Sequence, residues 1–320
     1  MQRIIGWLVG WMGMGLLCGQ ALAQGGPAQW ELTLTSPQTG RDYWIQISLP
    51  AGEAPAEGYP VLYVLDGNIR FPLLAAARQT LSRQGMQREG MPWVIVGIGY
   101  PGVADLDVAA RAEDLTPPAP DMSETGDPGQ RPQGGAERFL DFIEDTLEPE
   151  LAQCLPLSER RKALLGHSYG GLFTLYTLFT RPQAFTDYLA ISPSIWWNDR
   201  YLLEVMAAQA EHSAPPATSP RLLIAVGGLE QSVRPGEEGS ERARRRESNA
   251  MIDNARTLAE SLPEALPWVE TQFVVFDGED HGSVMWPASR HALEFLGVVP
   301  CRKVCQPAGY RPRGRGLASP

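Results

Sequence analysis

The chain has 320 residues, 43% of them hydrophobic, enough to bury one large core in a single domain. Its net charge is −10, from 27 basic and 37 acidic residues, which argues against a nucleic-acid partner and for a self-repelling surface. Lysine occurs only at Lys162 and Lys303, so an isolated arginine is weak evidence of an anion site; arginine is simply the default cation here.

The first 23 residues have the organisation of a signal peptide. Met1-Gln2-Arg3 supplies the positive end, residues 4–17 the apolar stretch, and Ala21-Leu22-Ala23 a small-residue cleavage site. The apolar stretch is too short to cross a bilayer comfortably, and no later run approaches that length. The expectation is an exported, periplasmic protein without a stable membrane span in its mature chain. Bulky Leu17 before Cys18 disfavours lipid attachment. Export permits disulfides, and Cys154, Cys301 and Cys305 would remain after cleavage. An odd number leaves one thiol unpaired within the chain, with the pairing open. No histidine lies near Cys301 and Cys305, which disfavours zinc.

Residues 30–35 and 43–49 alternate apolar with polar, as an antiparallel pair at a sheet edge would. Residues 60–65 and 93–98 are continuously apolar, as strands covered on both faces should be, with helical spacing over 71–81 between them. Residues 100–135, rich in Pro, Gly and Asp, predict a long surface loop. An amphipathic helix is expected from Phe139 to Leu151. Strands follow at 161–165, 188–192, 221–226 and 269–276, with helices over 171–178, to about 262, and from 288 to 295. Residues 232–246 predict a charged, flexible segment, and 301–320 a flexible tail. Alternating strands and helices imply an α/β architecture: a mostly parallel central sheet with helices on both faces, filling residues 24–300.

The strand at 161–165 and the helix at 171–178 flank Gly166-His167-Ser168-Tyr169-Gly170. A Gly-x-Ser-x-Gly between strand and helix is the nucleophile elbow of α/β hydrolases, whose sharp turn exposes a strained serine. Both glycines are expected to avoid collisions at the turn. Serine needs a base within hydrogen-bond reach, and only four histidines are available. His167 should point away from its neighbour, His212 lies in an Ala/Pro/Ser-rich stretch, and His291 sits inside the last helix. His281 remains, just after the last strand, in the chain order of an α/β hydrolase. For the acid, Glu230 follows the intervening strand, while Asp277, Glu279 and Asp280 stand closer in sequence; the choice stays open. The oxyanion donors would be Tyr169, directly after the serine, and the Gly67-Asn68 turn after the first buried strand.

These residues resemble the esterase-D-like α/β hydrolases and, within them, the siderophore esterases that act on enterobactin-type trilactones. The resemblance runs from about residue 30 to 296. It is carried by Tyr63-Val64-Leu65-Asp66-Gly67-Asn68, Arg111 with Asp114-Leu115-Thr116-Pro117, Gly134-Gly135-Ala136, the elbow, Ser192-Pro193-Ser194-Ile195-Trp196-Trp197 and Asp280-His281-Gly282-Ser283. It implies hydrolysis of the ester bonds of a catecholate siderophore, without metal or other cofactor, to release iron; the partner is a small molecule, iron-loaded or iron-free. It also leaves a choice between a triad with Glu230 and a Ser–His dyad. An anionic, aromatic substrate would call for Arg70, Trp196 and Trp197 as binding residues. Two other functions fit the same motifs: an exported esterase for feruloyl or acetyl sugar esters, and a non-catalytic siderophore binder.

Overall fold

The computed structural model describes residues 28–84, 90–126, 131–212, 215–233 and 236–298. The expected signal peptide, the expected tail, and Cys301 and Cys305 lie outside them. The two alternating stretches form β1 (Ala28–Thr35) and β2 (Asp42–Leu49), paired antiparallel with Trp30 opposite Ile47. The apolar runs form β3 (Tyr59–Leu65), β4 (Val94–Gly99), β5 (Leu157–His167), β6 (Asp187–Ile191), β7 (Arg221–Gly227) and β8 (Glu270–Phe276). All eight join one sheet in the order β1-β2-β4-β3-β5-β6-β7-β8. β2 is antiparallel to β4, and every pairing from β4 to β8 is parallel.

Side-chain alternation along the strands builds two cores. Val61, Tyr63 and Leu65 of β3 enter one cluster and Leu62 and Val64 the other, as a period of two requires. The second face is covered by α1 (Gly67–Gln84) and α9 (Met285–Phe295), through Leu74, Ala75, Ala288 and Ala292. The first is covered by α3 (Ala136–Phe142), α5 (Tyr169–Thr180), α6 (Trp197–His212) and α8 (Met251–Ala265). A π-helical turn, Ile143–Leu147, carries α3 into the short α4 (Glu148–Ala152). This is the α/β-hydrolase fold. Because its central strands are parallel, the loops after β3, β5, β6, β7 and β8 all emerge at one edge.

Two stretches expected to be irregular are partly helical. Within 100–135 lies α2 (Val108–Asp114), capped by Asp107, whose Oδ1 accepts from the Ala110 amide at 2.9 Å. Its Ala-rich core favours helix, but flanking Pro and Gly masked the short periodicity. Within 232–246 begins α7 (Glu241–Asn249), capped by Ser240, whose Oγ accepts from the Ala243 amide at 3.1 Å.

α2 buries two charged residues beneath the loop after β3. Arg111 makes a two-pronged ion pair with Asp66, Nε to Oδ1 at 2.7 Å and Nη2 to Oδ2 at 2.9 Å. Asp114 accepts from Tyr43 at 2.9 Å and Tyr100 at 3.2 Å. Burial raises the Asp114 pKa to about 6, against the opposing pull of the Tyr43 hydrogen bond and Arg41. A carboxyl raised in the folded state holds its proton more tightly there. Its stability contribution is therefore present below the unfolded pKa near 4 and is lost as pH rises through about 6. Urea unfolding at pH 4 and pH 7 should show the wild type losing on the order of 2–3 kcal/mol relative to Asp114→Asn between the two.

Candidate active site

β5 ends at His167 and α5 begins at Tyr169, so one residue, Ser168, reverses the chain. Its backbone stands at φ 61°, ψ −117°, outside the regions open to ordinary L residues. The surroundings hold it there. Ser168 N–H donates to the Ile191 carbonyl at 3.0 Å, and its carbonyl accepts from the Leu172 amide at 3.0 Å and the Ser194 amide at 3.1 Å. Asp66 after β3 (φ 53°) and Ser192 after β6 (φ 44°) are also left-handed. Three strained residues thus stand at the ends of three adjacent strands, the clustering found at functional sites.

The elbow glycines are not equivalent, contrary to expectation. A Cβ on Gly166 would stand 2.0 Å from the Gly170 carbonyl oxygen, which is impossible. On Gly170 its nearest contact would be 3.5 Å, an ordinary distance. The second position that needs glycine is Gly171, where a Cβ would stand 2.9 Å from Ile191 O and from Pro193 Cα. Glycine at 168 would relieve the strain while deleting the same hydroxyl that alanine deletes. Ser168→Gly should therefore unfold at higher urea than Ser168→Ala, by on the order of 1 kcal/mol after the entropy cost of glycine.

The structure brings together Glu230 and His281 from separate loops. Glu230 Oε2 lies 2.8 Å from His281 Nδ1. Its other oxygen, Oε1, accepts from Ser192 Oγ at 2.5 Å and the Gly227 amide at 2.6 Å. This carboxylate is 1% exposed, so three donors satisfy a charge that burial alone would not tolerate. Asp280 is engaged elsewhere: its Oδ1 accepts from the Gly282 and Ser283 amides and shapes the loop. With Nδ1 held by Glu230, the His281 nitrogen left for proton transfer is Nε2, on a side chain 45% exposed. The strand end that carries the serine approaches this loop: His167, its sequence neighbour, has its ring centroid 4.6 Å from that of His281. Among the described residues, the Ser168 hydroxyl hydrogen-bonds to Ser194 Oγ, at 3.3 Å, rather than to the imidazole.

The first turns of α1 and α5, beginning at Gly67 and Tyr169, lie at this same edge of the sheet. First-turn amides have no carbonyl partner within their helix and suit a developing negative charge. Gly67 is needed for close packing, since a Cβ there would stand 2.8 Å from Ile98 N. Asn68 fixes the turn through its side chain, accepting from the Tyr100 amide at 2.8 Å and donating to Tyr100 and Val103 carbonyls, both at 2.9 Å. Behind the elbow, Arg111 stacks 5.5 Å over the Tyr169 ring and ties it to the Asp66 ion pair.

Beside Tyr169 opens a cavity of about 540 Å³, lined by Trp196, Arg131, Arg244 and Arg245 with one carboxylate, Glu241. Trp196 faces Tyr169 at 6.2 Å between centroids. Trp197 is not a wall of this cavity, as the sequence suggested: it is fully buried in the core, with Nε1 donating to Gln133 Oε1 at 2.5 Å. Arg70 also departs from expectation. Its Nη2 lies 3.1 Å from His167 Nδ1, so the guanidinium serves a partner inside the protein, and the cavity takes its arginines from α7 and residue 131. That cavity lining is not legible in the sequence, where residues 232–246 read as a charged, flexible segment and not as the start of α7. Among the described residues no cluster of three or more His, Cys, Asp or Glu is placed to hold a metal, and no helix is long and apolar enough to cross a membrane.

Residues 36–260 match the model of a family described as putative esterase. The chain belongs to that esterase family. Among curated proteins, this esterase is 35% identical over 266 residues to the ferri-bacillibactin esterase BesA of Bacillus subtilis, covering 82% of this chain and 87% of BesA. It is 36% identical over 276 residues to a siderophore enterobactin esterase of Emericella nidulans, covering 79% and 89%. Among solved structures, the siderophore hydrolase EstB from Aspergillus nidulans superposes with a TM-score of 0.73 at 34% identity, covering 85% of this chain and 96% of EstB.

Proposed function

We propose that this esterase hydrolyses the ester bonds of a catecholate siderophore trilactone, in its iron-loaded form, with Ser168 as nucleophile, His281 as base and Glu230 as the residue that orients and charges-matches the imidazole. The observation that carries the reading is the 2.8 Å contact of buried Glu230 with His281 Nδ1, at the sheet edge where Ser168 is held in a strained elbow. The names of its relatives support the substrate class.

A rotation about the Ser168 Cα–Cβ bond takes the hydroxyl from Ser194 to His281 Nε2, which accepts its proton as Oγ attacks the ester carbonyl. The oxyanion of the tetrahedral intermediate is met by the amides of Tyr169 and of the Gly67-Asn68 turn. His281 then returns the proton to the leaving alcohol, and water enters by the same route to hydrolyse the acyl-enzyme. Glu230 stabilises the imidazolium formed twice in this cycle.

The aromatic pair Tyr169 and Trp196, flanked by Arg131, Arg244 and Arg245, suits a flat, anionic ligand such as a ferric catecholate. Reversing two charges in Arg244→Glu/Arg245→Glu is expected to raise KM for the ferric substrate about tenfold or more, with kcat little changed. Steady-state kinetics on ferric and iron-free substrate check this, and the iron-free form should respond less. Export fits the reading too: residues 1–23 have signal-peptide organisation, which supports a periplasmic site of action for the domain that follows.

The experiment is product analysis by mass spectrometry after incubation with ferric enterobactin, alongside feruloyl and acetyl sugar esters. Linear trimer, dimer and monomer from the trilactone at far higher kcat/KM support the proposal. Preference for a sugar ester overturns the substrate class, and tight ferric-complex binding without products overturns the enzyme.

A further inference from the structure

His167 takes no part in the proton transfers above, yet it is buried and both ring nitrogens are engaged. Nε2 lies 2.7 Å from the main-chain carbonyl oxygen of His281, and Nδ1 lies 3.1 Å from Arg70 Nη2. A guanidinium can only donate, so Nδ1 must offer its lone pair to Arg70. The ring proton then sits on Nε2, where the His281 carbonyl accepts it. The charged and titratable groups facing this ring are Arg70 from α1, Arg111 from α2, and His281 with Glu230 behind it. Burial first, then His281 and the two arginines, hold the His167 pKa well below its ordinary value, so the ring is neutral.

Glu230 fixes the His281 ring, but it does not by itself fix the backbone from which that ring projects. The geometry points to His167 as a positioning residue: held by Arg70 as the Nε2–H tautomer, it anchors the main chain of His281 so that one imidazole can serve both Glu230 and Ser168. This inference rests on the proposed roles of Ser168 and His281. It gives the residue before the serine a task beyond packing, and it gives Arg70 a task other than substrate binding. Neutrality matters as well, since a second positive ring with its centroid 4.6 Å away would oppose the imidazolium that forms on His281.

The test combines spectroscopy on the wild type with four variants. Long-range ¹H–¹⁵N NMR of histidine-labelled protein at pH 7, assigned by loss of the signal in His167→Gln, should show His167 as the neutral Nε2–H tautomer. Arg70→Met, which removes the donor to Nδ1, should move the Nδ1 resonance toward that of an unbonded ring nitrogen while Nε2 keeps its proton. His167→Phe, which keeps the ring volume but cannot donate, should lower kcat at least tenfold with KM within twofold and displace the acid limb of the pH profile. His167→Gln, whose amide can reach the same carbonyl, should recover most of the loss. A charged or Nδ1–H ring in the wild type overturns the inference, and so does wild-type kcat and pH profile in His167→Phe. If that variant does not fold, the wild-type NMR decides. Ser168→Ala separates the two levels: if it stays active, the catalytic proposal fails whatever the tautomer, whereas an inactive Ser168→Ala beside a fully active His167→Phe removes only the positioning role.

Discussion

Ser168→Ala is expected to lower kcat on the siderophore ester by about 10⁴-fold or more while leaving the fold intact. The loss is large because no other hydroxyl can be delivered to the same point: the reversal of the chain between β5 and α5 is made by this one residue, and neighbouring backbone fixes its position. Alanine at φ 61° suffers the same backbone strain as serine, so stability should change little. The small residual rate expected would come from oxyanion donors acting on water. Ser194, 3.3 Å away and buried, lies outside the turn between β5 and α5 and is not expected to substitute. Initial rates with a urea melt on the same sample check both statements. A variant that keeps more than about a tenth of kcat contradicts the assignment.

Glu230→Gln should produce the second-largest loss, roughly 10³–10⁴-fold in kcat with KM nearly unchanged. The size follows from which atoms are committed. Ser192 Oγ–H and the Gly227 amide both donate to Oε1, so the amide oxygen of glutamine is obliged to stay there. Its NH₂ group then faces His281 Nδ1, which must give up its proton to accept. The proton moves to Nε2, the nitrogen that has to be empty to act as base. Losing the charge-assisted bond should also cost about 1–3 kcal/mol of stability. This variant separates triad from dyad: a kcat within threefold of wild type would mean that Glu230 only holds the β7 loop to β6.

Much of the fold is written in local patterns. β3, β4 and β7 are apolar runs because helices cover both sheet faces, and β1 alternates because it is an edge. The elbow is legible for a similar reason: Gly166 has no room for a Cβ, so its residue type reports the geometry directly. What is not legible depends on contacts between distant segments. Glu230, Asp277, Glu279 and Asp280 are all acids near strand ends, and only the tertiary structure shows Glu230 reaching the imidazole while Asp280 caps its own loop. Trp196 and Trp197 are chemically identical neighbours, yet one lines a cavity and the other is core. α2 and α7 are short helices among Pro, Gly and charged residues, where the signal comes from a single capping side chain. Arg70 reads as a substrate-binding cation until its partner, 97 positions away, is known.

The central claim is that the strained hydroxyl of residue 168 is the group that becomes acylated, activated by the imidazole of residue 281. The most direct measurement is reaction with a fluorophosphonate, followed by peptide mapping with mass spectrometry in the wild type and in His281→Ala. One adduct, on Ser168, formed rapidly in the wild type and orders of magnitude more slowly without the imidazole, is the predicted result. An adduct on any other residue, or labelling of Ser168 at the same rate in both proteins, would contradict it.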